Sequence, residues 1–134
     1  MARYSTYWRF LPIRMVREYK KLENDPSPQA QLFYKAISQT IKITELIQDG
    51  EMVNKAIKMV YIEKTHTIEG AARQLYVSRS KLAKMLTEFI TMLAYLTGFT
   101  DYKNIPPIYR QIYRQTDHNT DKTIDEIQAQ TRSC

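Results

Sequence analysis

The feature that most restricts the fold of this chain is a register: Leu82, Leu86, Phe89, Leu93 and Leu96 recur at four-three-four-three spacing shortly after Ser78. Apolar residues at that spacing share one side of an α-helix and cannot share one side of a strand. A serine ahead of the run caps the first turn, and Gly98 stands where a helix of this length would close. The pattern predicts one helix of about twenty residues. Sustained two-residue alternation is missing from the rest of the sequence, and glycine occurs only at positions 50, 70 and 98. The expected fold class is therefore all-α, a small multi-helix domain built around that long helix.

Local chemistry divides the remainder. Pro12 fits the first turn of a helix "IRMVREYKKLE", which ends before "NDPSP" because residues that precede proline disfavour the helical region. A second helix is expected from about Pro28 to Gln48, with "QDG" as its stop, and a third over "EMVNKAIKMVYIEK" up to the link "THT". Thr67 can cap a short helix "IEGAARQL", with Glu69 in its first turn. Two helices then meet across residues 75–78, and the order of residue types follows. Ala71 and Ala72 are small where the helices cross closely, while Leu75, Val77 and Leu82 fill the wedge. This is a helix-turn-helix over about residues 67–98, whose second helix is the one that enters a DNA major groove. With Leu82, Met85 and Leu86 turned inward, Ser78, Arg79, Ser80, Lys81, Ala83, Lys84 and Thr87 become the candidate DNA-binding residues. Arg73 and Gln74, at the end of the first helix, are candidates for phosphate contacts. One position departs from the usual motif: the turn normally takes glycine, and here it is Tyr76.

The spacing A-x-x-L-x-V-S-x-S-x-L, carried by Ala72, Leu75, Val77, Ser78, Ser80 and Leu82, supports a resemblance. Residues 51–99 resemble region four of bacterial sigma factors. They are more closely similar to the small phage-encoded late-gene regulators of the ArpU and RinA type, in which an LY-[VI]-S-x-S turn, here "LYVSRS", replaces the usual glycine. The resemblance implies a sequence-specific DNA-binding transcriptional regulator, an activator of phage packaging, structural or lysis genes, working in the cytoplasm of a bacterial host. Its implied partners are double-stranded DNA and host RNA polymerase. Two other readings stand beside it: a small-terminase-like DNA packaging component, and a sigma-like module that binds polymerase alone.

Charge and composition agree with an anionic partner. The chain carries net +6 with pI near 9.4. The excess is uneven, since residues 1–21 hold six Lys/Arg against one acid and residues 64–100 hold five against two. Cys134 is the sole cysteine, which gives no disulfide framework and fits a reducing compartment. His66 and His118 lie far apart without cysteine partners or HExxH spacing, so no metal site is expected. No phosphate-binding glycine loop or nucleophile motif occurs, so neither cofactor nor enzymatic activity is expected. No run approaches the ~18–20 apolar residues of a membrane span.

Two regions and one surface stay open at this level. Tyr4, Tyr7, Trp8 and Phe10 read as rings docked on the helical body, with stacking on single strands as the alternative, and Arg3 and Arg9 could form a minor-groove arm. Residues 101–134 read as a polar, partly ordered tail outside a DNA-binding domain of residues 1–100, with "IYRQIYRQ" forming a short amphipathic turn or two. The distal part of the leucine stripe has to bury against the chain's own helices or against a second copy, which leaves a homodimer open.

Overall fold

The computed structural model describes residues 10–115, and these form an all-α, multi-helix domain. In chain order the helices are α1 (Phe10–Arg17), α2 (Tyr19–Asn24), α3 (Pro28–Glu45), α4 (Gly50–Ile57), α5 (Ile68–Gln74), α6 (Arg79–Leu96) and α7 (Pro107–Gln115). A π-helical turn, Lys58–Ile62, extends α4, and a 3₁₀ turn, Tyr102–Asn104, precedes α7.

The long helix α6 organises the rest, and its two halves differ. From Phe89 to Ala94 every residue is buried, Thr91 among them, so that half has neighbours on all sides. α1, α3, α4 and α5 all pack on α6. Its N-terminal half buries only Leu82 and Leu86 and leaves the opposite side in solvent. The leucine stripe is thus covered inside the chain, so it is not available as the seam of a dimer. α6 ends in a Schellman cap: Gly98 at φ 84 donates its N–H to the Tyr95 carbonyl (3.1 Å), and Phe99 donates to Ala94 (2.8 Å).

Several boundaries differ from the sequence expectation. The helix expected over residues 13–23 breaks at Glu18. α1 buries Met15 and Val16 and packs on the π turn and α6, whereas α2 packs on α3, and one straight helix cannot serve both. Tyr19 then stacks on Tyr34 (ring centroids 4.9 Å, planes 10° apart), and its hydroxyl meets that of Ser38 at 2.9 Å. α3 starts at Pro28 as expected, capped by Ser27, which accepts from the Ala30 N–H, but it stops at Glu45 rather than Gln48. The chain reverses there with Asp49 at φ 60, and Gly50 passes so close to the Thr44 carbonyl that an added Cβ would lie 1.7 Å from its oxygen. Only glycine fits that approach. The third helix begins at Gly50 and widens after Ile57, where Glu63 donates to Lys58, five residues back.

The largest difference lies beyond residue 100. Ile105 and Tyr109 are each 1% exposed and belong to the same core as α6, so packing continues across the expected boundary between domain and tail. The Tyr109 hydroxyl meets that of Thr44 on α3 at 2.8 Å, and the Thr44 hydroxyl also reaches the Thr40 carbonyl at 2.7 Å. The repeat of isoleucine, tyrosine, arginine and glutamine hides this role because half its residues are polar. Folded as a helix, it turns Ile108, Tyr109, Ile112 and Tyr113 towards the body. Tyr113 and Tyr102 then contact Tyr95 of α6 edge-on, at 5.9 and 5.8 Å between ring centroids.

Burial is the main cause that lifts the Tyr109 phenol above its ordinary range, partly offset by the bond to Thr44. The folded state therefore keeps this proton longer than the unfolded chain does. The associated stability is complete below pH ~10 and is lost as pH rises beyond it. Tyr109→Phe is expected to cost about 1 kcal/mol at neutral pH and to flatten the alkaline loss, and Tyr109→Ala about 3–5 kcal/mol through the cavity it leaves. Urea midpoints measured from pH 7 to 11 check both.

Candidate nucleic-acid interface

The helix-turn-helix is assembled from short-range bonds that the residue types dictate. The Thr67 hydroxyl accepts from the Gly70 N–H at 3.0 Å and starts α5, and Glu69 in the first turn suits the positive end of the helix. α5 ends in a second Schellman cap, in which Tyr76 donates to Arg73 (3.3 Å) and Val77 to Ala72 (3.0 Å). Tyr76 sits at φ 60, the left-handed region that glycine normally fills. Ser78 then accepts from the Lys81 N–H at 3.1 Å and starts α6. Ala71 and Ala72 are fully buried where α5 meets α6, and Leu82 is buried beside them.

This geometry places the candidate residues as follows. Ser78, Arg79, Ser80, Lys81, Lys84 and Thr87 are exposed along the N-terminal half of α6, and Ala83 is half-buried among them. The Thr87 hydroxyl is turned back onto the Ala83 carbonyl at 2.9 Å. Arg73 and Gln74 are exposed on α5, but both have local partners. Arg73 reaches Glu69 at 3.2 Å, an exposed pair of the kind that contributes little and yields easily to a competing anion. The Gln74 side-chain oxygen meets His66 Nε2 at 2.8 Å, while His66 Nδ1 meets the Thr65 hydroxyl at 2.8 Å. That chain of bonds ties the end of α5 to the link ahead of it. It escaped sequence reasoning because His66 and Gln74 carry no spacing signature and meet only once α5 has folded.

The charge distribution within the motif runs against helix stability. α4 and α5 each have a glutamate in the first turn, Glu51 and Glu69. α6 has none and carries Arg79 and Lys81 there instead, as α2 carries Lys20 and Lys21. A cation near the positive end of a helix is unfavourable by roughly 0.3–1 kcal/mol, so folding alone gives no reason for either residue. Arg14, Lys55, Lys58 and Arg73 each have a glutamate within 4.0 Å. Among the described residues, Arg79, Lys81 and Lys84 have no such partner, as is also true of Arg17, Lys20, Lys21, Lys35, Lys42, Lys64 and Lys103; the three on α6 differ in sharing the exposed half of one helix. The exposed half of α6 thus presents an uncompensated positive ridge, joined end-on to a half that the core holds in place.

Other expectations find less to attach to. The aromatic and basic residues Arg3, Tyr4, Tyr7, Trp8, Arg9 and the Phe10 side chain lie outside what the structure describes, as does His118. Among the described residues there is no group of three or more His, Cys, Asp or Glu able to hold a metal ion, and no helix is long and apolar enough to cross a membrane. Comparisons with protein-family models, with curated proteins and with solved structures give no match for this chain.

The packing of the motif makes a direct test available. Ala72→Leu is expected to force α5 and α6 apart and to destabilise the fold by roughly 1–3 kcal/mol. Ser78→Ala, which removes only the cap, should cost about 1 kcal/mol. Equilibrium urea denaturation of both variants against the parent measures the two costs.

Proposed function

We propose that this chain is a sequence-specific DNA-binding regulator of transcription that inserts the exposed half of α6, beginning at Ser78, into the major groove. The observation that carries the reading is the first turn of α6, where Arg79 and Lys81 stand without acidic partners at a helix end that already favours an anion. An α-helix fits the major groove of B-DNA, and a helix held by its far end presents its first two turns as a rigid probe. Arg79 and Lys84 are assigned to base edges, Ser78 and Ser80 to bases or phosphates, and Lys81, Arg73 and Gln74 to the backbone. Arg73 would exchange Glu69 for a phosphate on binding.

The regulatory role proposed is activation of phage late genes in a bacterial cytoplasm, with host RNA polymerase as a second partner. It rests on the resemblance of residues 51–99 to the ArpU and RinA type of regulator. A dimer on two half-sites would have to form through a surface other than the leucine stripe of α6, which the chain itself covers.

Selection of bound duplexes from a random pool, followed by footprinting of the recovered site, tests the reading. If about five phosphates are contacted, log K is expected to fall against log salt with a slope of roughly −4 to −5. Arg79→Ala should then cost ~1–3 kcal/mol on the selected site and much less on scrambled duplex. A parent protein that enriches no sequence and binds duplex without salt dependence would rule the proposal out, and would favour the polymerase-binding module.

A further inference from the structure

Two Schellman caps in this fold use the same pair of hydrogen bonds, and they differ in one residue. At the end of α6 the left-handed position is Gly98, which has no side chain to strain. At the end of α5 it is Tyr76. The other non-glycine residues at positive φ among those described, Asp49 and Lys64, are polar and exposed.

Nothing among the described residues accounts for the aromatic side chain at Tyr76. Its relative exposure is 95%, against 56% for Leu46, the next most exposed large apolar residue among those described. The other tyrosines of this region behave differently: Tyr61 and Tyr109 are buried, while Tyr95 and Tyr113 pack ring against ring. Tyr76 therefore takes a backbone conformation that disfavours it and puts its ring into water. The first cations after it on α6 are Arg79 and Lys81, neither of which has an acidic partner among the described residues. A phenol carries one strong donor at the end of a long, stiff side chain, and a donor standing beside cations is matched by an anionic acceptor.

We infer that Tyr76 donates its hydroxyl to a backbone phosphate of duplex DNA and so fixes the position of α6 along the groove. The inference rests on the DNA-binding reading above and adds a contact that the charge pattern does not contain. Tyr76 precedes the Ser78 cap, so it lies beyond the end of α6 instead of on the helix surface, and it is assigned to the backbone, not to a base. Hydrogen bonds from neutral side chains to phosphates set register and orientation without reading sequence. A neutral donor also releases no counterion, so this contact raises affinity without steepening the salt dependence.

The test uses the full chain, a random-sequence duplex and fluorescence anisotropy across a range of salt, with thermal melts of every variant. Tyr76→Phe and Tyr76→Gly are each expected to bind about tenfold more weakly, the size of one hydrogen bond to a charged acceptor, with the salt slope of the parent. Tyr76→Gly should melt at or above the parent temperature, because glycine relieves the left-handed turn, so loss of binding would accompany no loss of folding. Lys81→Ala, as the comparison, should reduce the slope by about one. If Tyr76→Phe binds as tightly as the parent while Lys81→Ala is weakened, the hydroxyl contact is overturned and DNA binding stands. Should the parent itself bind duplex without salt dependence, the DNA-binding reading fails and takes the Tyr76 contact with it. If both Tyr76 variants instead lose slope along with affinity, the residue acts by displacing α6, and the phosphate contact is likewise overturned.

Discussion

Burial of the second half of α6 on every side is the constraint from which the rest of the structure follows. A helix whose residues from Phe89 to Ala94 are all buried needs neighbours all round. The chain supplies them from α1, α3 and α4 on the N-terminal side of the sequence and from Ile105 and Tyr109 on the other. Once that half is enclosed, the other half can only project. Its exposed cations inherit a fixed direction from a core that none of them touches.

What was legible in the sequence was whatever depended on neighbours within about four residues. Thr67 and Ser78 cap the helices they precede, Gly98 closes α6, and the leucine stripe faces inward, because each of these is settled by local hydrogen bonds or by a helical period. The outward placement of Arg79, Ser80, Lys81, Lys84 and Thr87 on α6 was legible for the same reason, since a known inward set fixes the outward one. The break at Glu18, the π turn after α4 and the burial of Tyr109 were not legible. Each is decided by a partner far along the chain: α3 for Tyr19, α1 for the π turn, Thr44 for Tyr109. The repeat in α7 was especially opaque, because four residues of low polarity among eight look the same in a frayed tail and in a docked helix.

The helix-turn-helix is also where local rules and the fold disagree. A tyrosine occupies a glycine position, and two cations occupy a turn that favours acids, within a span of six residues. α4 and α5 begin with glutamates and α6 ends in glycine, as the rules prefer, while α2 also carries lysines, Lys20 and Lys21, in its first turn. Conflicts of this sort cluster where a sequence answers to something other than its own stability. Each of the three residues is individually tolerable, and none of them is explained by packing.

The bond between Thr44 and Tyr109 spans 65 positions, and it has a consequence for the order of events during synthesis. α3 leaves the ribosome early, with Ile37, Ile43 and the hydroxyls of Thr40 and Thr44 destined for the interior. Residues 105 and 109, which help cover that interior, emerge only after α6 is complete. At translation rates of about 5–20 residues per second, the nascent chain spends several seconds with part of its apolar surface open. The soluble face of α3, with Lys35, Lys42 and Glu45 exposed, faces water throughout that interval. Among the described core residues Ile105 and Tyr109 are the last to be synthesised, and the helix that carries Tyr109 is the one whose sequence looks least like a core element.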